Sequence, residues 1–292
     1  MITVFTPTFN RAYILSKLFD SLLAQSVKDF EWLIVDDGST DNTKDLIIEF
    51  KKKADFKIKY IYQENQGKHV AINTALKNIS TPYFLTVDSD DYLKNSAIAI
   101  IYEKLPIIKN SKEIIGLASP IEMVNNIDLP KHQLTKDIIA TPFEMKYKHR
   151  INGEFSLVYK TEIINRYQYP VFLGEKFIVE SYITNRFKKD YKLLHISESL
   201  VIGEYRNDGL TIQSKNLLVN NPKGASLAFC EKANNDQIPF SERKLLAKSY
   251  WDYESIFNTN FINKLSKIKS VRLKMFMLIF FSRRILTNIF DK

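Results

Sequence analysis

The chain has 292 residues, of which 45% are hydrophobic and 26% are charged, and it contains one cysteine. This composition is typical of a folded protein and argues against intrinsic disorder or a collagen-like repeat. A single cysteine, Cys230, excludes an internal disulfide and offers no cysteine cluster for a zinc ribbon or an iron–sulfur site. The chain opens directly on an apolar run with no signal-peptide pattern, so we expect a cytoplasmic location.

The net charge of +9 is concentrated near the C terminus. From residue 260 onward, eight Lys and Arg residues face one aspartate, Asp291, which is eight minus one, or +7. The same tail holds the apolar run 275–281, whose seven residues fall far short of the roughly 20 that a membrane-spanning helix needs. A basic, apolar segment favours a helix lying on an anionic membrane surface. A terminal helix packed on the protein body, with its basic side in water, is the alternative.

Strand-like and helix-like patterns alternate from the N terminus. Apolar runs predict four strands, at 2–6, 30–35, 58–62 and 83–87. Apolar residues at helical spacing predict helices between these strands at 14–23 and 68–79. A further helix is predicted to follow the polar segment 36–41 and to continue through residue 50. This order predicts a mostly parallel sheet covered by helices, with ligands bound outside the carboxyl ends of the strands.

A polar segment follows each of the four predicted strands. These segments are 6–11, 36–41, 63–68 and 88–91. Any one of them fits ordinary turn chemistry, because Asp, Asn, Gly and Pro favour loops for local reasons. Since the carboxyl ends of neighbouring parallel strands lie at one edge of a sheet, the four together predict a single shared site.

The last of these segments carries three acids in four residues, Asp88, Asp90 and Asp91. Two unit charges 4 Å apart near a protein surface repel each other by roughly 4 kcal/mol. A bound divalent cation would relieve that repulsion. The acid-rich loop therefore predicts a positively charged ligand.

The segment after the first strand excludes two common nucleotide-binding classes. It reads Thr-Pro-Thr-Phe-Asn-Arg, so it has neither the Gly-x-Gly-x-x-Gly of a Rossmann oxidoreductase nor a P-loop. Together with the segments 33–41, 67–73 and 87–91, it resembles the family 2 glycosyltransferases of the GT-A fold. The matching pieces cover about the first hundred residues in family order. The resemblance implies an α/β fold with a Rossmann-like nucleotide-binding half, a mostly parallel sheet with flanking helices, and a C-terminal helical extension.

The resemblance also implies a domain plan and an activity. Residues 1–215 would form the GT-A domain, with 1–105 binding the nucleotide-sugar and 106–215 the acceptor, and 216–292 would be helical with a basic amphipathic tail. The implied reaction is inverting transfer of a sugar from a UDP- or dTDP-sugar to a glycan or lipid-linked acceptor in polysaccharide biosynthesis. We expect peripheral attachment to the inner face of the cell membrane and no nucleic-acid partner. A catalytically inactive homologue that binds nucleotide or glycan, or scaffolds a membrane assembly, is the alternative.

The chemistry of such a transfer assigns roles to the three acids. The leaving diphosphate develops negative charge, which Mn²⁺ or Mg²⁺ held by one or two carboxylates stabilises. Asp90 is the predicted direct metal ligand. By similarity to the family, Asp88 would reach the ribose or sugar hydroxyls, with Asp91 as a donor contact or a support; the division among the three stays open.

Residues of the first three loops are predicted to bind the nucleotide-sugar. Asp37 can accept a hydrogen bond from the imide N–H of uracil or thymine, and Thr6 and Thr8 offer contacts to base and ribose. Asn10 belongs to the same motif. Lys68, at a helix start, is suited to phosphate or base oxygens, although a solvated helix-end lysine is the alternative.

Inverting transfer also needs a carboxylate that takes the proton of the attacking hydroxyl. The family places an acid there, often in a Glu-Asp pair, but here Ser181 follows Glu180. Glu180 is the predicted catalytic base and Glu175 its competitor; either fits an ordinary acid near a helix start. Glu154 and Glu175 are candidate acceptor contacts. Asp208 could order a loop over the donor, although Asp-Gly is first of all a turn signal.

Overall fold

The computed structural model describes residues 1–124, 134–204, 206 and 209–290, with only the backbone described at 210–212 and 282–290. The chain folds as two compact units. The first consists of Met1–Pro170 and Phe187–Gly209, and the second of Val171–Arg186 and Leu210–Lys292. The segment that contains Glu180 thus groups with the C-terminal helices. The functional division at residues 105 and 215 stays a prediction.

All the strands among the described residues lie in the first unit. They are β1 Ile2–Thr8, β2 Phe30–Asp36, β3 Lys57–Tyr62, β4 Tyr83–Thr86, β5 Tyr92–Leu93, β6 Ile114–Met123, β7 Ile138–Ala140, β8 Phe155–Lys160, β9 Lys192–His195 and β10 Val201–Gly203. Its helices are α1 Leu15–Leu23, α2 Thr43–Lys53, α3 Lys68–Asn78, α4 Ala97–Lys109, α5 Pro142–Tyr147 and α6 Thr161–Ile164. The four predicted strands match β1 to β4 within two residues at each end.

The strands form one sheet in the order β3-β2-β1-β4-β8-β6-β10-β5, with β9 paired to β6 and β7 to β9. β3, β2, β1 and β4 are parallel, which confirms the parallel order predicted for the first half. β8 runs antiparallel to both β4 and β6. The carboxyl ends of four parallel strands therefore share one edge of the sheet.

Burial explains why the central strands read as continuous apolar runs. Every residue of β1 and β2 is buried, as expected where helices cover both faces of a parallel sheet. β3 lies at the sheet edge, and its Lys57 and Lys59 reach Glu31, whose side chain is 1% exposed, at 3.3 and 2.8 Å. The charged edge discourages pairing with a further strand.

β6 and β8 approach each other closely at Gly116, which pairs with Tyr159. A Cβ atom at Gly116 would lie 2.1 Å from the carbonyl oxygen of Val158, so only glycine fits.

The same strand pair holds Glu154, whose carbonyl oxygen accepts a hydrogen bond from the Ile121 N–H at 3.0 Å. Glu154 directly precedes β8, which begins at Phe155.

The second unit is helical within the described part of the chain. Its helices are α7 Ser181–Thr184, α8 Leu210–Asn220, α9 Pro222–Asn234, α10 Phe240–Ser255, α11 Phe261–Ser266 and α12 Val271–Phe290. Its core includes Trp251 stacked on Phe281 at 4.3 Å between ring centroids. The buried Glu254 accepts hydrogen bonds from Ser226 and Lys267, both at 2.5 Å. None of the described helices has the length and apolarity needed to cross a bilayer.

Gly116→Ala is expected to lower the free energy of unfolding by about 1–3 kcal/mol, because the added methyl meets backbone that no side-chain rotation can move away. Urea denaturation followed by tryptophan fluorescence measures the change. An unaltered unfolding midpoint would contradict the close approach of β6 and β8.

Candidate active site

The three predicted acids lie together in the turn after β4. The Asp91 N–H donates to the Asp88 carbonyl oxygen at 3.1 Å, and the charges of Asp88 and Asp90 act on the Asp91 carboxyl group. All three side chains are half-buried. We call these residues the acid cluster.

Burial and neighbouring charge raise the pKa values of two carboxyl groups of the acid cluster, those of Asp90 and Asp91. Burial, followed by the charges of Asp88 and Asp90, raises the pKa of Asp91 to about 8. Burial and the charge of Asp88 raise the pKa of Asp90 above its ordinary value. Crowded, partly desolvated carboxyl groups resist ionisation in this way, and a bound cation would favour their ionised form.

Two basic side chains accompany the acid cluster. Lys68, at the start of α3, holds its Nζ 2.7 Å from the Asp88 carboxylate, so its charge lies beside the acid cluster. Arg11, from the loop after β1, lies close enough to lower the pKa of Asp90, and it also donates to the Tyr13 hydroxyl. The sequence indicated no separate role for Arg11, although it ends the Thr-Pro-Thr-Phe-Asn-Arg motif.

Asp37 holds the loop that follows β3. Its Oδ1 accepts hydrogen bonds from the Gln63 side chain at 2.7 Å and the Gln66 N–H at 2.9 Å, and its Oδ2 accepts from the Gly67 N–H at 2.7 Å. Its own N–H donates to the Thr8 carbonyl oxygen at 2.8 Å. Because a carboxylate accepts about four hydrogen bonds, roughly one position is left for a ligand N–H.

The two threonines at the end of β1 have different environments. Thr6 is fully buried, and its hydroxyl accepts a hydrogen bond from the Trp32 indole N–H at 3.0 Å. Thr8 is 3% exposed, and its hydroxyl has no hydrogen-bond partner among the described residues. Of the two, Thr8 has the hydroxyl without a hydrogen-bond partner among the described residues.

Asn10 joins the loops after β1 and β2. Its Oδ1 accepts a hydrogen bond from the Thr40 N–H at 2.8 Å, and its own N–H donates to the Ser39 hydroxyl at 2.8 Å. Its φ is +52°, a left-handed conformation that asparagine tolerates better than most residues. Asn10 therefore shapes the loops of the site through local contacts.

Residues from the second half of the sheet complete the surroundings of Asp91. A Cβ atom at Gly203, the last residue of β10, would lie 3.1 Å from Asp91 Oδ1. The exposed Glu154 adds to the charges that raise the pKa of Asp91. The predicted acceptor contact Glu154 is thus beside the acid cluster, and Gly203 is a neighbour that the sequence did not indicate.

The other two predicted acids belong to the second unit. Glu175 is buried, and its carboxylate accepts hydrogen bonds from the N–H groups of Lys223 and Gly224, both at 2.8 Å, at the start of α9. This contact satisfies helix N–H groups that lack partners and suits the helix dipole. Glu180 is exposed and directly precedes α7. Only Glu180 of the two is presented at the surface of its unit.

The acid cluster could supply one or two carboxylate ligands to a cation whose other ligands come from a diphosphate and water. Mg²⁺ and similar ions use one or two protein carboxylates and take their other ligands from water and phosphates. Within the part of the chain that the structure describes, no group of three or more His, Cys, Asp or Glu side chains is arranged to hold a metal ion. Asp208 lies outside the described residues.

Comparison with known proteins identifies the family. The model of glycosyl transferase family 2 matches residues 3–167, which is more than half of the chain. The GalNAc(5)-diNAcBac-PP-undecaprenol beta-1,3-glucosyltransferase of Campylobacter jejuni is 34% identical over 105 residues, covering 35% of this chain and 34% of that protein. The chain spans between 15% and 49% of the length of several other curated relatives.

Solved structures resemble the chain over most of its length. TarS of S. aureus, residues 1–349 with UDP-GlcNAc, has a TM-score of 0.61 at 18% identity and covers 93% of this chain and 76% of its own. The mannosyltransferase PcManGT of Pyrobaculum calidifontis, with GDP-Man and Mn²⁺, has a TM-score of 0.54 at 15% identity over 97% and 80%. This likeness confirms the predicted GT-A fold. The family match shows that the chain belongs to glycosyl transferase family 2.

Proposed function

We propose that this protein is a metal-dependent inverting glycosyltransferase that uses a UDP- or dTDP-sugar. The acid cluster at the carboxyl ends of the parallel strands carries the proposal, because its carboxylates suit a divalent cation while Lys68 and Arg11 suit a diphosphate. The complexes of TarS with UDP-GlcNAc and of PcManGT with GDP-Man and Mn²⁺ support the donor class and the use of a cation in related enzymes.

We assign the nucleotide to the loops after β1, β2 and β3. Asp37 would accept the imide N–H of uracil or thymine with its remaining lone pair, and the Thr8 hydroxyl would bond the ribose. Thr6 and Asn10 would act mainly through the backbone shape that their internal hydrogen bonds impose. This division is supported by the partners of each side chain.

The diphosphate is assigned to the acid cluster together with the basic side chains of Lys68 and Arg11. Asp90 would hold Mn²⁺ or Mg²⁺ directly, with Asp88 and Asp91 oriented toward the sugar and the ion's other ligands. When bound, the ion supplies Lewis-acid stabilisation of the leaving diphosphate. Lys68 and Arg11 add fixed positive charge for the same phosphate oxygens, and such preorganised charge is a large term in catalysis.

Glu180 is assigned as the general base. Its carboxylate would take the proton of the acceptor hydroxyl while that oxygen bonds to the anomeric carbon, and the bond from this carbon to the β-phosphate oxygen breaks on the opposite side. The engagement of Glu175 with α9 supports the choice of Glu180 over Glu175. Glu154 is assigned to the acceptor.

The acceptor and location follow from the same proposal. We infer a glycan or lipid-linked acceptor, and the undecaprenol-linked saccharide in the name of the Campylobacter relative supports that class. Residues 1–105 would bind the donor, 106–215 the acceptor, and 216–292 would form a helical region. The protein would work in polysaccharide biosynthesis on the cytoplasmic side of the cell membrane as a peripheral protein.

Release of nucleoside diphosphate from a panel of nucleotide-sugars, with Mn²⁺ and an acceptor mixture, tests the proposed activity. Asp90→Asn and Glu180→Gln are each expected to reduce kcat/KM by about 10²–10⁴-fold, since each removes a group that acts in the transition state. The exposed Asp20→Asn, on α1, is the matched control and should retain activity. Donor binding without turnover by the wild-type protein, with every donor and acceptor tried, would contradict the proposal.

Glu175→Gln separates a positioning role from that of a base. We expect a loss of about 0.5–2 kcal/mol in unfolding free energy, as for other lost helix caps, with the acidic limb of the kcat–pH profile retained. Thermal denaturation and the pH profile measure the two effects. If Glu175 were the base, the acidic limb would vanish while stability stayed the same.

Asp91→Asn tests the repulsion within the acid cluster. The raised pKa means that folded Asp91 keeps its proton where the unfolded chain has lost it, so wild-type stability falls as the pH rises from about 4 to about 8. Asp91→Asn should therefore stabilise the metal-free protein by about 1–3 kcal/mol at pH 8 and by almost nothing at pH 4. Urea denaturation in EDTA at both pH values measures this, and a destabilised variant at pH 8 would refute it.

A further inference from the structure

Helix α12 has apolar residues on two opposite faces. Leu273, Met277 and Phe281 point into the core of the second unit. Val271, Met275, Leu278 and Ile279 are instead exposed, by 71%, 58%, 43% and 54%. We call these four residues the outer face.

The spacing makes the outer face continuous. At about 100° per residue, its four positions fall within an arc of about 100°, and the core-facing positions lie roughly on the other side of the helix. Arg272 and Lys274 flank the arc, one on each side. Arg272 is anchored by the Phe240 ring, whose centroid lies 4.1 Å from its guanidinium carbon. An apolar strip bordered by cations is the pattern of a helix that lies in a lipid interface.

Charge identifies the kind of surface that suits this face. Residues 260–292 carry eight Lys and Arg residues and one aspartate. Lys264 is buried and Lys267 pairs with Glu254, and the remaining positive charge would draw the region to an anionic surface. Two copies of it would repel each other if the outer faces met, which disfavours self-association. Helix α11 precedes α12 in sequence. Its Phe261 and Ile262 side chains are exposed by 41% and 76% and add to the exposed apolar area of this region.

We propose that the outer face of α12 docks in the headgroup region of an anionic phospholipid bilayer, with Arg272 and Lys274 at the level of the lipid phosphates. This inference deepens the proposed function, and rests on it for the idea that the acceptor is presented at a membrane. The docking itself requires only the residues of the second unit.

Flotation with liposomes tests the docking. The full-length protein should float with vesicles containing anionic phosphatidylglycerol and not with pure phosphatidylcholine, and added salt should weaken the binding. Met275→Ser/Ile279→Ser should reduce the partition coefficient by at least about tenfold, with circular dichroism unchanged because both positions are outside the core. Ile48→Ser/Ile107→Ser, at positions exposed by 44% and 45% on α2 and α4, is the matched control and should float like wild type.

Other outcomes would overturn the inference. Wild-type protein that fails to float, or a Met275→Ser/Ile279→Ser protein that floats equally, would refute lipid docking. Dimerisation in sedimentation that is lost in the same variant, without flotation, would assign the outer face to a second copy. Measuring nucleoside diphosphate release with a soluble acceptor distinguishes failure of the docking proposal from failure of the proposed enzymatic function. Release without flotation would refute only the docking. Flotation without release would refute only the enzymatic function.

Discussion

Repulsion among the carboxylates of Asp88, Asp90 and Asp91 is the constraint on which the rest of the site depends. Isolated in water, three such groups would stay apart and ionised, but β4 delivers them to one half-buried turn. Structures that hold like charges together are typical of functional sites, because the cost in stability is offset when a ligand binds. Lys68 and Arg11 reduce the repulsion only in part, since the pKa values of Asp90 and Asp91 remain raised.

Several residues with ligand-like chemistry also hold the loops in place. Asp37 binds three groups of the loop after β3, and Asn10 ties the loops after β1 and β2 together. A binding site needs such support, because a loop that moves by an ångström loses much of its effect on the reacting groups. In the proposed site, these internal hydrogen bonds would therefore matter as much as the side chains assigned to the ligand.

The first half of the fold and the acid cluster were predictable from sequence, because continuous apolar runs mark buried parallel strands and polar segments mark their ends. The roles of Asp37 and Glu175 were less visible, since their partners lie about 30 and 50 residues away. The proximity of Gly203 to Asp91 was equally hard to predict, because the two residues are far apart in sequence. Local patterns do not encode such long-range pairings, and the antiparallel β8 was not indicated for the same reason.

One physical claim underlies the proposed site: a cation held by the acid cluster and a nucleoside diphosphate bind together. Isothermal titration of UDP into the protein, with Mn²⁺ and then with EDTA, tests this most directly. We expect binding at least about tenfold tighter with Mn²⁺, and no such gain in Asp90→Asn. Equal UDP affinity in Mn²⁺ and EDTA, or a gain that survives in Asp90→Asn, would contradict it.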